Sequence, residues 1–494
     1  MLTTTEIHDF IESDMASEKK QMARKSEQYY EADHDISTYR MFYYNSDGKL
    51  VEDKTRANIR ISHPFFTELV DQEVQYMLSG DDSFIKSDMD GLQELLDKYF
   101  DNDFKSELQE CLTGAISKGF DYMYAYMDVN NKLSFQHADS MSVVEIRAKD
   151  TDDKCEYIIY WYIDRIDKGH KVIKRIQVWD KSQIYFYVST ADGEIAIDDT
   201  EKLNPRPHVV RSDDSGHLYG SSLGFIPFFR LDNCRKQFSG LKPIKSIIDD
   251  YDMMSCGLSN NLADFDHPLY VIKGFQGDDL DELDQNLRTK KRIGVDETGN
   301  VEVKTIEIPY EARIATMNQD EKDIYRFGMG FNSAQLGDGN VTNVVIRSRY
   351  ALLDLKCDKL EIRLKKFLKG IVKVVIDQIN ADNETDYDVS DVYFDFEREI
   401  MTNAQDNAQI ELTDAQTEQT KVNTILNAAS VIGSETVLKE ICDVLDLDYD
   451  DIKSKLDEQD ELDKAEQTLN SMVPDEAGDA NEQTTITDPE NISG

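Results

Sequence analysis

The chain has 494 residues, 98 of them acidic and 55 basic, for a formal net charge of −43; 40% are hydrophobic and 31% charged. That length accommodates about two to four packed units, and no apolar run approaches the roughly 20 residues a spanning helix needs, which excludes an integral membrane protein. A free monomer this acidic repels nucleic acid rather than gripping it, so any nucleic-acid role must be one in which tight binding is unwanted.

The N-terminus, MLTTTEIHDFIESD, has no basic region ahead of an apolar core, so no secretory signal is expected. From Thr5 to about Tyr30 the sequence reads as one charged, weakly amphipathic helix. A polar loop with a turn at Asp47-Gly48 follows. Phe66, Leu69, Val70, Val74 and Met77 have helical spacing and end at Gly80. A second helical block runs from about Leu92 to Lys118 and stops at Gly119.

The texture then becomes β-like. Short runs at Tyr122–Met127, Lys132–Phe135 and Ser142–Arg147 precede longer ones at Tyr157–Ile166 and Val172–Val188. Turns at Asn130-Asn131, Lys168-Gly169 and Asp192-Gly193 separate them, which predicts an antiparallel meander. Gly224–Leu231 reads as one more strand, limited by Pro227 to an edge or a bulge.

Pro243 sits where a first-turn proline belongs, and apolar residues from Ile244 to Phe265 then recur at helical steps. Leu269 to Ile308 reads as a small α/β insert: a strand (LYVIKG), an acidic helix from Asp278, and a hairpin turning at Glu297 to Asn300. A helix from about Glu311 to Phe327 and a polar loop, Asn332 to Asn343, follow. The longest helix runs from about Val344 to Ile379, roughly 54 Å at 1.5 Å per residue. Its Leu353, Cys357, Leu360, Leu364, Phe367, Ile371 and Val374 alternate steps of four and three, a seam that packs lengthwise on another helix. Asp391–Glu397 reads as a strand, two or three helices lie between about Ala404 and Gln459, and the polar tail from Asp460 is expected to be disordered.

Catalytic signatures are missing. There is no G-x-x-x-x-G-K-[ST] loop, no G-x-G-x-x-G after a strand, no HExxH and no G-x-S-x-G elbow. Cys111, Cys155, Cys234, Cys256, Cys357 and Cys442 lie far apart, without metal-ligand or dithiol spacing, and most are expected to be small buried hydrophobes in a reducing compartment. Asp446-x-Asp448-x-Asp450 opens like a calcium loop, but Asp451 stands where the turn glycine is required, so a solvated acidic face is the better reading. No cofactor and no metal are expected. Basic residues are few, and two groups stand out: Arg288, Lys290, Lys291 and Arg292 in the insert, and Arg347, Arg349 and several lysines along the long helix. Each group suits either ordinary charge balance with neighbouring acids or local contact with DNA or an acidic partner.

The order of segments resembles one family, the portal proteins of tailed phages with long non-contractile tails, the SPP1 type. Tyr29-Tyr30 through His34 to Ile36 is similar to that family's YY-x-G-x-H-x-I, with Ala32 in place of the glycine. Val70-Asp71 through Tyr76 to Gly80 is similar to VD-x-x-x-x-Y-x-x-G, and Pro227 with Asn233 to the family's P-[IV]-x-x-F-x-N-N. Ile247 to Tyr251, on through Asn260 and Asp264 to Val271-Ile-Lys-Gly274, is similar to LID-x-Y…S-x-x-x-N-x-x-x-D…L-x-[IL]-KG. The resemblance covers about residues 25 to 380.

What the resemblance implies is an α+β portal fold with these parts: an N-terminal helical arm (1–30), a β-rich wing (31–240), stem helices (241–266 and 309–331) around a small α/β clip (267–308), a tunnel loop (332–343), a long channel helix (344–390), a helical crown (391–459) and an acidic tail (460–494). It further implies a non-enzymatic subunit of a closed ring of twelve at the capsid vertex, made in the bacterial cytoplasm and incorporated in the virion. Double-stranded DNA would pass the ring without sequence readout, near Gln335, Leu336, Asp338 and Asn340 of the tunnel loop and Arg347 and Arg349 beyond it. The Arg288, Lys290, Lys291 and Arg292 cluster would dock the large terminase subunit and later the head-tail adaptor, with the major capsid and scaffolding proteins as further partners and no membrane. Competing readings are another oligomeric capsid scaffold without a channel, and a metal-dependent nucleic-acid enzyme.

Overall fold

The computed structural model describes residues 1–54, 56–80, 83–128, 132–148, 155–167, 171–189, 193–212, 218–265, 269–275, 295–304, 309–332, 343–398, 416–417, 419–428, 433–444, 449 and 451–455. The chain divides into two compact units, Met1–Met401 and Thr402–Gly494.

Two capped helices open the first unit. The Thr3 hydroxyl accepts from the Glu6 amide, and the Glu6 carboxylate accepts from the Thr3 amide, starting α1 (Thr4–Met15). Ser17 accepts from the Lys20 amide and starts α2 (Glu18–Tyr30). The single helix expected from Thr5 to Tyr30 is therefore two, because a serine hydroxyl that satisfies an orphan amide begins a new helix. α2 ends on Ala32 at a left-handed φ of 59°. The Asp33 amide bonds back to the Gln28 carbonyl and the Ala32 amide to that of Tyr29, the arrangement that closes a helix on a left-handed residue.

A hairpin follows, β1 (Phe42–Tyr44) with β2 (Leu50–Glu52), then α3 (Phe65–Met77), β3 (Ile85–Lys86), α4 (Leu92–Leu96) and α5 (Asn102–Lys118). The helical block expected over Leu92–Lys118 is also divided: the Asp101 carboxylate accepts from the Phe104 amide and caps a fresh start.

The β region forms two main sheets. β4 (Phe120–Met127) pairs with β5 (Leu133–Ala138) and, on its other edge, with β14 (Phe228–Asp232). The separate meander runs β6 (Val143–Arg147), β7 (Cys155–Asp167), β8 (Lys171–Trp179), β9 (Gln183–Ser189) and β10 (Ile195–Ile197) in sequence order, with β11 (Arg206–Pro207) also on β9. Thus the meander is present, but its first two expected strands belong elsewhere. The run Val172–Val188 contains two strands rather than one, because the Asp180 carboxylate accepts from the amides of Ser182 and Gln183 and turns the chain. β12 (Val209–Ser212) and β13 (Leu218–Ser221) pair with each other. β14 begins just after Pro227 and is an edge strand, as the proline requires.

The rest of this unit is mostly helical: α6 (Lys245–Phe265), β15 (Leu269–Phe275), β16 (Val295–Lys304), α7 (Tyr310–Gly328), α8 (Asn343–Asn383) and the short β17 (Tyr393–Phe394), which pairs with β3. The hairpin expected to turn at Glu297–Asn300 is replaced by a register shift: β16 pairs with β15 from Leu269↔Lys304 to Lys273↔Asn300 and again at Phe275↔Val295, with an irregularity between. Every residue of the seam expected on the longest helix is buried, from Leu353 through Val374. It packs in one core with Phe66 and Val70 of α3 and Leu108 and Leu112 of α5. In the second unit, α9 spans Ser434–Val444. The acidic helix expected from Asp278, the polar tail from Asp460 and most of the Asp446–Asp450 run lie outside the described residues. The whole is a mixed helix-and-sheet fold, α+β as expected.

Candidate functional site

α6 and α7 form an antiparallel pair that flanks, in the chain, the antiparallel strands β15 and β16. Arg313, near the start of α7, donates to the Met254 carbonyl near the middle of α6 at 3.3 Å. Farther along α7, the Asp320 carboxyl lies close enough to Asp250 that burial, and then the charges of Asp250 and Asp323, raise its pKa. Gly257 permits the close approach, since a Cβ there would lie 2.3 Å from the Arg313 guanidinium.

An extended strap, residues 57–63, runs along α6 in the opposite direction. The Ala57 amide donates to Asp264 (2.7 Å), Ile59 to Asn260 (2.6 Å), Ile61 to the Cys256 sulfur (3.1 Å) and His63 to Asp252 (3.1 Å). The match is geometric: two extended residues advance about 6.7 Å and four helical residues about 6.0 Å, so alternate amides meet every fourth helical side chain. At the fully buried end, the Asp252 carboxylate pairs with Nδ1 of both His34 (2.6 Å) and His63 (2.7 Å). Burial opposes ionisation of Asp252, but the two imidazole contacts prevail and lower its pKa.

The residues flanking segment 333–342 are held together. The Gln72 side chain accepts from the Phe331 amide at 3.0 Å and donates to its carbonyl at 2.8 Å. Phe331 stacks on Tyr350 of α8, ring centroids 4.7 Å apart. Asn332 donates to Glu321 at 2.7 Å. A Cβ on Gly330 would sit 2.0 Å from Leu69, so the exit of α7 lies tight on α3.

α8 has 41 residues, about 62 Å of helix. Arg398 spans one of its faces, reaching Asp354 (2.8 Å), Asp358 (2.7 Å) and Glu361. Lys356 pairs with the buried Glu73 at 2.8 Å and Lys365 with Glu361 at 2.7 Å.

Among the described residues no group of three or more His, Cys, Asp or Glu side chains could hold a metal ion, and no helix is long and apolar enough to cross a membrane. A cavity of about 290 Å³ beside α3 and α5 carries Lys86, Lys105, Asp395 and Glu397 on its lining, with neither histidine nor cysteine. Cys111 and Cys357 are buried, which pushes both thiols up and leaves them poor nucleophiles.

The model of the family described as "Phage portal protein, SPP1 Gp6-like" matches residues 9–468. The chain belongs to that portal family. The portal protein of Bacillus phage SPP1 is 26% identical over 349 residues, 70% of this chain and 67% of its own length. The portal protein of Clostridium phage phiCD119 is 25% identical over 429 residues, 82% of this chain and 88% of its own. A solved structure, the neck of a native GTA particle computed with C12 symmetry, has 14% identity and a TM-score of 0.33 over 62% of this chain and 77% of that one; a likeness at that level adds nothing to the assignment.

In this portal-family chain the two basic residues expected near the channel lie early in α8, with Arg347 exposed and Arg349 half-buried. Gln335, Leu336, Asp338 and Asn340, like Arg288, Lys290, Lys291 and Arg292, lie outside the described residues. Sequence reasoning missed the strap and the clamp at the loop base. The strap had a visible signal: Asp252, Cys256, Asn260 and Asp264 recur every fourth residue on α6, and the last two fit the spacing in the quoted family pattern. The Gln72–Phe331 clamp had none, because its partners are far apart in the chain.

Proposed function

We propose that the chain is the ring-forming subunit of a phage portal, a vertex channel crossed by double-stranded DNA during packaging and ejection, with no catalytic activity of its own. The family match from residue 9 to 468 carries the reading. The antiparallel pair of α6 and α7 on either side, in the chain, of the paired strands β15 and β16 supports assigning residues 241–266 and 309–331 to a stem and 267–308 to a clip. The clamped residues around 333–342 support a tunnel loop on a fixed base, and α8 the long channel helix. Residues 1–30 then form the arm, 31–240 the wing, 391–459 the crown and 460–494 an acidic tail.

Twelve such acidic subunits make a channel that does not grip a polyanion, so DNA slides while a separate motor drives it. Contact near Gln335, Leu336, Asp338, Asn340, Arg347 and Arg349 is weak and directed at the phosphate backbone. The Arg288, Lys290, Lys291 and Arg292 cluster docks the large terminase subunit and then the head-tail adaptor through acidic faces on those partners. The subunit is made in the bacterial cytoplasm and ends in the virion, against the major capsid protein after assembly on scaffold.

Negative-stain electron microscopy of the purified chain with native mass measurement tests this. Open-centred rings of about twelve copies are expected. A monodisperse monomer that neither salt, concentration nor scaffolding protein assembles would sink the reading.

A further inference from the structure

Two groups of cations share α8. Lys356 and Lys365 face carboxylates of their own chain, Glu73 and Glu361. Arg363 and Lys366, one turn apart, do not: among the described residues neither has a hydrogen bond or an ion pair. In a chain with 98 acidic residues against 55 basic ones, two neighbouring cations without a carboxylate stand out. Both line a cavity of about 300 Å³ between α8 and β14, which Phe229, Arg230 and Asp232 line from the strand side. Phe367 adds a second apolar wall. At Gly370 a Cβ would lie 3.1 Å from the Phe229 ring, so the glycine lets helix and strand approach at the cavity's edge.

The remaining charge at the cavity is already balanced. Arg230 pairs with Glu145 at 2.5 Å and with Asp232 at 2.8 Å. Lys19 of α2 lies in the same field, its pKa drawn down to about 8 by burial and then by the Arg230 charge. Two cations thus meet two carboxylates, and Arg363 and Lys366 stand in excess. That excess selects the ligand. A carboxylate or a phosphodiester brings one negative charge and leaves one cation unanswered. A phosphate monoester carries about −1.5 to −2 at pH 7 and three strong acceptor oxygens, and a guanidinium fork beside an ammonium suits it. Size agrees: at roughly 30 Å³ per water the space equals about ten waters, more than a bare oxyanion fills. A cavity of this volume, apolar on two sides with a few charged groups, takes a small molecule rather than the face of a protein.

We propose that the cavity between α8 and β14 binds a phosphate monoester, with Arg363 and Lys366 holding its oxygens and Phe229 and Phe367 walling its organic part. The site is formed within one chain and stands apart from ring assembly. Isothermal titration calorimetry on the full chain tests it with three probes: deoxyadenosine monophosphate, inorganic phosphate and deoxyadenosine. One saturable site per chain is expected for the monophosphate at pH 8, and none for the nucleoside. Inorganic phosphate that binds as tightly as the monophosphate identifies the free ion as the occupant; weaker binding identifies the ester. The Arg363→Gln, Lys366→Gln chain should keep the wild-type circular dichroism, since Lys366 is exposed and Arg363 half-buried, and lose about ten-fold or more in affinity. Arg363→Lys, which keeps the charge, should retain most of the binding. Lys373→Gln, an exposed cation farther along α8, should change nothing. Affinity should also fall as pH drops from 8 to 5.5, because the ester loses its second charge near its pKa of about 6 while Arg363 and Lys366 keep theirs. No saturation up to about 10 mM monophosphate, equal binding of deoxyadenosine, or wild-type affinity in the double glutamine chain would each overturn the site.

Discussion

At the scale of single residues, Ala32 is the clearest departure from the family pattern. The resemblance calls for glycine there, and the structure supplies the reason: the position has φ 59° at the end of α2. A left-handed conformation costs a residue with a Cβ about 1–2 kcal/mol, whereas glycine adopts it freely. Ala32→Gly is therefore expected to stabilise the chain by about 1 kcal/mol after the entropy that glycine adds to the unfolded state. A fall in the denaturant midpoint at constant slope would contradict it. The buried network below α5 sets a pH dependence. Asp121 is fully buried, accepts from the Ser140 amide at 2.6 Å, and pairs with Lys118 at 3.2 Å and His137 at 3.0 Å. Lys118 also reaches Asp139 at 2.6 Å, and Gly114 leaves room for the carboxylate, which a Cβ there would meet at 1.5 Å. Burial lowers the His137 pKa and the Lys118 charge opposes protonation, but the Asp121 hydrogen bond and charge outweigh them, so the net shift is upward. A group held up in this way stabilises fully below its unfolded value near 6.5, and the contribution is lost as pH rises through the higher folded value. The stability gap between wild type and His137→Gln should shrink as pH rises above about 6.5. A gap that widens over that range would show that the imidazole is held neutral.

At the scale of elements, the strap shows how a segment without regular secondary structure acquires a fixed place. Asn260 both accepts from the Ile59 amide and donates to its carbonyl, and it is almost fully buried. Asn260→Ala leaves two backbone groups without partners, at about 1–3 kcal/mol. The expected result is local: amide exchange at Ala57, Ile59 and Ile61 quickens about ten-fold or more while the α8 amides keep their protection. Unchanged exchange at Ile59 would mean that the side-chain register does not hold the strap. The same logic applies at the base of 333–342. Gln72, Phe331 and Tyr350 come from three separate elements and together fix where the chain leaves α7 and enters α8.

At the scale of the whole molecule, charge dominates. A chain at −43 makes few favourable phosphate contacts, and counterion release scales with the number of such contacts. Fluorescence anisotropy with a short duplex should therefore give a dissociation constant weaker than about 100 µM near physiological salt, the weak end of non-specific binding, with a shallow salt slope. Submicromolar binding that collapses steeply with salt would show a basic surface strong enough to grip DNA, and would end the low-friction account of the channel.

The sequence alone determined what depends on local periodicity and on motif order. The apolar seam of α8 and the helical spacing of α3 were legible because a repeating apolar face must be buried wherever the segment packs; the helices α6 and α7, the edge position of β14 beside Pro227 and the resemblance to the portal family were legible from local signals and motif order. Helix breaks at Ser17 and Asp101 were less so, since one capping side chain outweighs a continuous helical pattern. Only the tertiary structure decided which strands share a sheet. It removed β4 and β5 from the meander, paired β16 with β15 instead of folding it on itself, and laid the strap along α6. It also decided that Lys356 and Lys365 face acidic partners of their own chain. Such pairings join residues far apart along the chain, and their free energy comes from surfaces that exist only after the intervening segments have folded.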